Sequence, residues 1–210
     1  SVYALDERLF EAYENTKFYG ISHDGFNNLN NFKYLGSIFN HSLGNSLNKC
    51  TALTYIRFGS LFNYPLLNSL DNCTALTHIE FFVCFNHPLD NSLNNCTLLT
   101  HIEFFRCFNQ PLDNSLNNCT SLTHIVFGNN FNQPLANSFD NCTSLTHIKF
   151  GNEFNQSIDN VLNNCPSLVH ISLNYMFNQK LDLPSNISSL SLNCNNESYA
   201  DNLPDTIEEL

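Results

Sequence analysis

Charge is scarce in this sequence of 210 residues, and positive charge is especially scarce. Only 13% of the residues are charged, about half the usual share. Lys and Arg number 8 against 19 Asp and Glu, which gives a formal net charge of −11. A general nucleic-acid binder needs a basic surface that displaces counterions. The composition therefore argues against nucleic acid as the partner.

Several other features are missing. The sequence has no run of 18 apolar residues, so we expect no membrane span. Residues 1–17 lack a basic stretch followed by an apolar segment, so we expect no secretory signal. The motifs C-x-x-C, G-x-G-x-x-G and G-x-S-x-G and the P-loop are absent, so we expect neither an enzyme nor a cofactor. The expected location is the cytoplasm, where the nine cysteines would stay reduced.

What the sequence does contain is an internal repeat of 23 residues. It is marked by a Phe-Asn pair, whose phenylalanine we number as position 1: Phe39, Phe62, Phe85, Phe108, Phe131, Phe154 and Phe177. Position 2 is therefore always Asn, as in Asn63, Asn86, Asn109 and Asn132. Position 12 is Cys in six units: Cys50, Cys73, Cys96, Cys119, Cys142 and Cys165. Position 17 is Tyr55 followed by five histidines: His78, His101, His124, His147 and His170.

A period of 23 with an L-x-x-L-x-L pattern predicts a leucine-rich-repeat solenoid of the α/β class. In the unit 108–130, residues 124–126 predict a short strand whose Ile125 points inward, while its neighbours point to an open face. Strands of successive units would form a parallel sheet. Residues 111–122 have apolar positions spaced by three or four, which predicts a short helical or 3₁₀ turn on the opposite side.

Seven positions per unit should point into the core, namely 1, 5, 9, 12, 15, 18 and 20. Six units supply 42 such side chains, and their burial would offset chain entropy only when neighbouring units stack. The phenylalanines at positions 1 and 20 predict two stacked aromatic columns. The asparagines at positions 2 and 7 predict side chains that hydrogen-bond the turns of neighbouring units, a structural role rather than a chemical one.

The organisation follows from where the repeat holds. Residues 1–38 are predicted to be an N-terminal cap, built from an amphipathic helix and a degenerate repeat. Residues 39–176 are the six full units. Residues 177–210 contain a shortened unit or units with Leu-Pro segments and a C-terminal edge. An uncovered edge strand could pair with a second copy, so a homodimer through a terminal edge is possible.

The motif Phe-Gly-x-x-Phe-Asn carries a family resemblance. FGNNFNQPL at 127–135 and FGNEFNQSI at 150–158 resemble the FNIP, or FGxxFN, leucine-rich repeats of giant viruses and social amoebae. NCTSLTHI is also similar to the repeats of bacterial surface proteins such as BspA. The resemblance covers residues 39–210 and implies a right-handed solenoid with a concave parallel sheet that binds partners rather than catalyses. The sequence departs from the motif at Phe82 and Phe105, which replace its Gly, and Cys84 and Cys107 then precede the Phe-Asn pair.

Those departures indicate where a protein partner would bind. Positions 17, 19, 21 and 22 should lie on the concave face, and aromatic residues beside charges are typical of interfaces. The predicted patch comprises His78, Glu80, Phe82, His101, Glu103, Phe105 and Arg106, with the remaining ladder residues His124, His147 and His170 beside it. The alternative is that Phe82 and Phe105 tuck against the sheet edge and extend the core.

An alternative function is a secreted or surface BspA-like adhesion module, which would use the same fold.

The histidine, glutamate and cysteine columns leave further alternatives. A zinc ion could be held by His78, His101, Glu80 and Glu103, but their spacing is that of the repeat rather than of a ligand motif, which favours stacked neutral imidazoles. Such imidazoles would repel one another when charged, so acid near pH 6 should loosen the sheet or alter binding. Cys84 and Cys107 could form a disulfide under oxidation.

Overall fold

The computed structural model describes residues 32–47, 49–193, 203 and 205–207. It contains one sheet of eight parallel strands in sequence order. Each strand pairs in register with the next, so that Ile79 lies opposite Ile102, and Ile102 opposite Ile125. The strands are β1 (Phe32–Tyr34), β2 (Tyr55–Phe58), β3 (His78–Phe81), β4 (His101–Phe104), β5 (His124–Val126), β6 (His147–Lys149), β7 (His170–Leu173) and β8 (Ser189–Leu192). The predicted parallel-sheet solenoid is confirmed.

The core consists of the predicted inward positions. All 42 side chains at positions 1, 5, 9, 12, 15, 18 and 20 of the six units are buried. Burial alternates along β3 and β4, with inward Ile and Phe between half-buried polar residues. This alternation follows from the two-residue period of a strand. The cysteines of position 12 are part of this core.

The two phenylalanine columns pack against each other through the length of the core. Neighbouring rings of position 1 lie 5.9–6.2 Å apart between centroids. Those of position 20 lie 5.0–5.8 Å apart. The position-20 ring of one unit lies closer to the position-1 ring of the next unit, as for Phe104 and Phe108, whose centroids are 4.0 Å apart. The predicted aromatic columns are confirmed, and their stacking adds to the burial of large apolar surface.

The side opposite the sheet is made of successive hydrogen-bonded turns. The helical or 3₁₀ turns expected there are not confirmed, because the described residues contain strands and turns only. In the unit from Phe108, Ser115 N–H bonds to Leu112 C=O and Cys119 N–H bonds to Leu116 C=O. Position 6 has a positive φ, which a helix does not allow. This holds for Gly44, Leu67, Asp90, Asp113 and Ala136, while in the sixth unit Asn160 at position 7 takes this role.

The asparagines of position 2 form a ladder. Each side-chain oxygen accepts a hydrogen bond from the backbone N–H of the asparagine one unit later, at 2.9–3.0 Å, from Asn40 to Asn178. The structural interpretation of this column is confirmed. It was wrong for position 7, whose side chains form no hydrogen bond to a neighbouring unit among the residues that the structure describes. There the backbone carbonyl closes a turn, as Asn114 C=O does with Asn117 N–H.

The two ends are described only in part. Strand β1 precedes Phe39 and pairs in register with β2, whereas the predicted cap helix lies outside the described residues. At the other end β8 completes the sheet, and the half-buried Leu203 and Ile207 pack against the core. No helix in the described part of the chain is long and apolar enough to cross a membrane.

Candidate functional site: the open face of the sheet

The open face, meaning the sheet surface turned away from the core, is formed by positions 17, 19 and 21. Strand alternation directs positions 18 and 20 inward and leaves these three outside. On β3 and β4 the outward residues are half-buried His and Glu, and a half-buried Phe directly follows each strand. Register pairing aligns each with its counterpart, His78 with His101 and Glu80 with Glu103. The repeat thus converts sequence columns into rows across the face.

The histidine ladder consists of His78, His101, His124, His147 and His170. Its first four rings stack nearly parallel with centroids 4.3–4.5 Å apart. The fifth is tilted by 34° at 5.4 Å and places its Nδ1 2.7 Å from the hydroxyl of Ser189. Tyr55 continues the row on β2, with its ring 6.1 Å from that of His78. The predicted stack of imidazoles is therefore present.

A threonine column at position 16 sets the tautomer of the first four imidazoles. Each threonine hydroxyl donates to the backbone carbonyl of the threonine one unit earlier, as Thr100 does to Thr77 at 2.9 Å. A hydroxyl has one proton to donate. The neighbouring histidine Nδ1, 2.8–2.9 Å away, must therefore donate to that hydroxyl. The neutral rings thus carry their proton on Nδ1 and keep a lone pair on Nε2.

The Nε2 atoms of these four imidazoles form no hydrogen bond to the described residues. They make a row of acceptors on the open face. The pKa of His101 is lowered by burial and then by the neighbouring His78 and His124. The pKa of His124 is lowered by burial and by His147. Both effects favour the neutral, acceptor form of the ring.

Phe82 and Phe105 form a phenylalanine pair on the open face. Their centroids are 4.3 Å apart, both side chains are partly exposed, and the Cζ atom of Arg57 lies 4.6 Å from the Phe82 centroid. The next unit has Gly128 at this position, position 21. A glycine is necessary there, since a Cβ would lie 1.1 Å from the carbonyl oxygen of Phe105. The backbone differs at Phe105, whose N–H bonds to Phe81 C=O at 2.8 Å. The pairing of β3 with β4 therefore continues further and leaves room for a side chain.

The two glutamates of the face have different surroundings. Glu80 accepts a short hydrogen bond from the Tyr55 hydroxyl, and its Oε2 lies 3.3 Å from Arg57 Nε. The pKa of Tyr55 is accordingly raised, mainly by burial and then by this carboxylate. Glu103 forms no hydrogen bond or ion pair with the residues that the structure describes. Burial, with Glu80 beside it, raises the pKa of Glu103.

The structure gives no support to the zinc alternative. In the described ranges no three His, Cys, Asp or Glu residues come together as metal ligands. The cysteines of position 12 are free thiols in the core. Cys84 and Cys107 are also free and are partly exposed. Asp90 and Asp113 lie on the turn side, where they line a shallow depression with Pro88 and Pro111.

The structure brings most of the predicted patch together. His78 and Glu80 lie on β3, and His101 and Glu103 lie on β4. Phe82 and Phe105 directly follow these strands with their rings in contact, and the exposed Arg106 comes next in the chain. The ladder residues His124, His147 and His170 extend along the same face. Sequence reasoning missed the contribution of Arg57, which lies over the Phe82 ring, and of the threonine column. The threonine signal was visible, because position 16 is Thr in five of the six units.

The sequence matches the BspA-type leucine-rich repeat region in six copies, over stretches that include residues 14–133, 88–182 and 112–203. The chain belongs to the BspA-type leucine-rich repeat family. Membership agrees with the one-strand-per-unit sheet and the aligned core columns. None of the curated proteins matches the chain.

Solved structures show the same fold. CroV588, described as a novel circular leucine-rich repeat protein, is 30% identical with a TM-score of 0.58 over 76% of this chain and 26% of its own. An internalin, inlF from Listeria monocytogenes, is 18% identical with a TM-score of 0.60 over 81% of this chain and 51% of its own. TLR13, solved in a complex with ssRNA13, is 15% identical with a TM-score of 0.58 over 79% and 26%. This BspA-type chain spans about a quarter to a half of the length of these proteins.

Proposed function

We propose that this chain is a non-enzymatic scaffold that binds a protein partner on the open face of its sheet. The observation that carries the proposal is the phenylalanine pair, two partly exposed aromatic rings held side by side among charged residues. Aromatic residues in such a setting are enriched at binding hot spots. The phenylalanines of the core, in contrast, are buried against one another and present no surface to a partner.

The chemistry of the face favours a partner rich in hydrogen-bond donors and positive charge. The ladder presents Nε2 acceptors, Glu103 presents a carboxylate, and the net charge of the chain is −11. Complementary charge speeds association and selects partners. Within its family we assign the chain to the FNIP type of giant viruses or amoebae, because the Phe-Asn pair recurs seven times at one spacing.

We place the protein in a reducing compartment such as the cytoplasm. The described cysteines are free, and a column of buried thiols is typical of proteins that are not exposed to oxidation. A secreted adhesion module is the competing function. Mass spectrometry of protein from its native source separates the two, since disulfides and attached glycans would support the adhesion module and contradict our assignment.

A pull-down from host lysate tests the proposal. The double variant Phe82→Ala/Phe105→Ala should lose its partner, while Tyr64→Ala, which removes an exposed aromatic residue elsewhere, should keep it. Melting temperatures establish that each variant is folded. Equal capture by the wild type and the folded double variant would show that the phenylalanine pair is not the binding site.

A further inference from the structure

Arg57 shows how this surface holds a guanidinium group. Its Cζ atom lies 4.6 Å from the Phe82 centroid, and its Nε lies 3.3 Å from Glu80 Oε2. One side chain thus makes a cation–π contact and an ion pair at once. Arginine suits this double contact because its guanidinium is planar and weakly hydrated.

The next unit carries the same glutamate and phenylalanine without the arginine. Glu103 is the register partner of Glu80, and Phe105 lies beside Phe82 with its ring 4.3 Å away. The residue that corresponds to Arg57 one strand further is Glu80 itself. A carboxylate therefore occupies the column where the second site would need a cation.

Within the described part of the chain, no basic side chain fills the second site. Among the residues that the structure describes, Arg106 is exposed and forms no ion pair or cation–π contact. Lys149 is exposed on β6, two strands from Glu103, and acts on this carboxylate only through longer-range electrostatics. Glu103 is half-buried beside Glu80, so two carboxylates face a single arginine.

We propose that Glu103 and Phe105 form a guanidinium subsite, which binds an arginine side chain of the protein partner in the way that Phe82 and Glu80 bind Arg57. The proposal rests on the proposed function and names the chemistry of its partner. The row of Nε2 acceptors at position 17 lies on the same face and can accept further N–H groups of a bound segment. Arg57 is the internal copy of the expected ligand.

The test uses N-acetyl-arginine methylamide as the probe and follows the protein signals by NMR. Addition of the probe should shift the amide signals of Glu103 and Phe105. Glu103→Gln should weaken binding by about threefold or more, because the ion pair is lost. Glu153→Gln removes an exposed carboxylate away from the pair and should leave the affinity unchanged. Equal affinity of the wild type and Glu103→Gln would overturn the proposal.

Two further arms establish that a guanidinium is recognised. N-acetyl-lysine methylamide should bind more weakly than the arginine probe, since an ammonium is more strongly hydrated and has no planar face to lay on a ring. Arg57→Ala should open a second site and produce new shifts at Glu80 and Phe82. Equal binding of the two probes, or no new shifts in Arg57→Ala, would overturn the guanidinium assignment.

These outcomes are separable from those of the pull-down. A partner that is captured through the phenylalanine pair while the arginine probe fails would refute the subsite alone. Binding of the probe with loss in Glu103→Gln, together with capture that ignores the pair, would refute the proposed protein-binding surface and keep the subsite.

Discussion

The side-chain oxygen of Asn109 accepts a hydrogen bond from the backbone N–H of Asn132, one unit later, at 2.9 Å. The same oxygen accepts a second bond, from the side-chain amide of Gln133 at 3.0 Å. Asn132 repeats this arrangement with Asn155 and Gln156, and the same pair of bonds joins every two neighbouring units from Asn86 to Gln179. The asparagine ladder thus links neighbouring units at position 2, just before the turns on the side opposite the sheet.

Asn109→Ala should lower the free energy of unfolding by about 1–2 kcal/mol, because a partly buried backbone N–H loses its acceptor. The measurement is chemical denaturation followed by circular dichroism. Asn114→Ala is the matched control, since the exposed side chain of Asn114 forms no hydrogen bond to any described residue, and it should change stability by less than about 0.5 kcal/mol. Similar losses in the two variants would contradict the role assigned to the ladder.

The histidine ladder predicts loss of stability in mild acid. The pKa values of His101 and His124 are lowered in the folded chain, by burial and then by neighbouring histidines. The unfolded chain, whose histidines titrate near about 6.5, therefore binds more protons as the pH falls. The contribution of these residues to stability is complete above that pH and decreases below it. The melting temperature should fall from pH 7.5 to pH 5.5.

The double variant His101→Gln/His124→Gln should flatten this dependence, whereas His41→Gln, outside the ladder, should retain it. The comparison also isolates the histidines from Glu103, whose raised pKa gives an effect of opposite sign. A melting temperature of the wild type that is the same at both pH values would count against the ladder as an acid-sensitive element.

The cysteines should differ sharply in reactivity. Burial raises the pKa of Cys96 and Cys142 to about 12 and that of Cys165 to about 11, so thiolate is scarce at neutral pH. Cys84 and Cys107 are partly exposed. Brief treatment of the native protein with a maleimide should label these two before any described core cysteine, as read by peptide mass spectrometry. Early labelling of Cys96 or Cys142 would show that the core opens readily.

Gly128→Ala should destabilise the protein by about 1–3 kcal/mol, as other overpacking substitutions do. The added Cβ would lie 1.1 Å from the carbonyl oxygen of Phe105, so the backbone must move. Asn129→Ala, at the adjacent exposed residue, should cost less than about 0.5 kcal/mol. Thermal unfolding compares the two, and a Gly128→Ala protein as stable as the wild type would mean that the units can shift freely here.

The core and the sheet could be predicted because they depend on periodicity. The inward positions were read from one unit, such as Leu112, Leu116 and Ile125, and all 42 proved buried. An invariant period leaves a solenoid one register in which every unit covers the next. The turn side was less predictable, since a spacing of three to four apolar residues is shared by helices and successive turns. The positive φ at residues such as Asp113 decides between them.

The candidate site could be predicted in part, from departures within the repeat. Phe82 and Phe105 were noticeable because they replace Gly, and their alignment followed from the period. The contact of Arg57 with the Phe82 ring was not readable, since it joins positions 19 and 21 of adjacent units. The position-7 asparagines were misread for a related reason. Composition does not tell whether an amide such as that of Asn114 points toward a neighbouring turn or toward solvent.

Sequence alone determined the stacking of the units, because a hydrophobic pattern that repeats without insertion leaves each unit unable to bury its core except against its neighbours. Only the tertiary structure decided the chemistry of the open face: the Nδ1–H tautomer of the ladder, the arginine over Phe82, and a Glu103 that no described residue pairs with. These properties depend on which atoms meet across strands 23 residues apart. A linear pattern specifies the rows but not the hydrogen bonds and ion pairs that form between them.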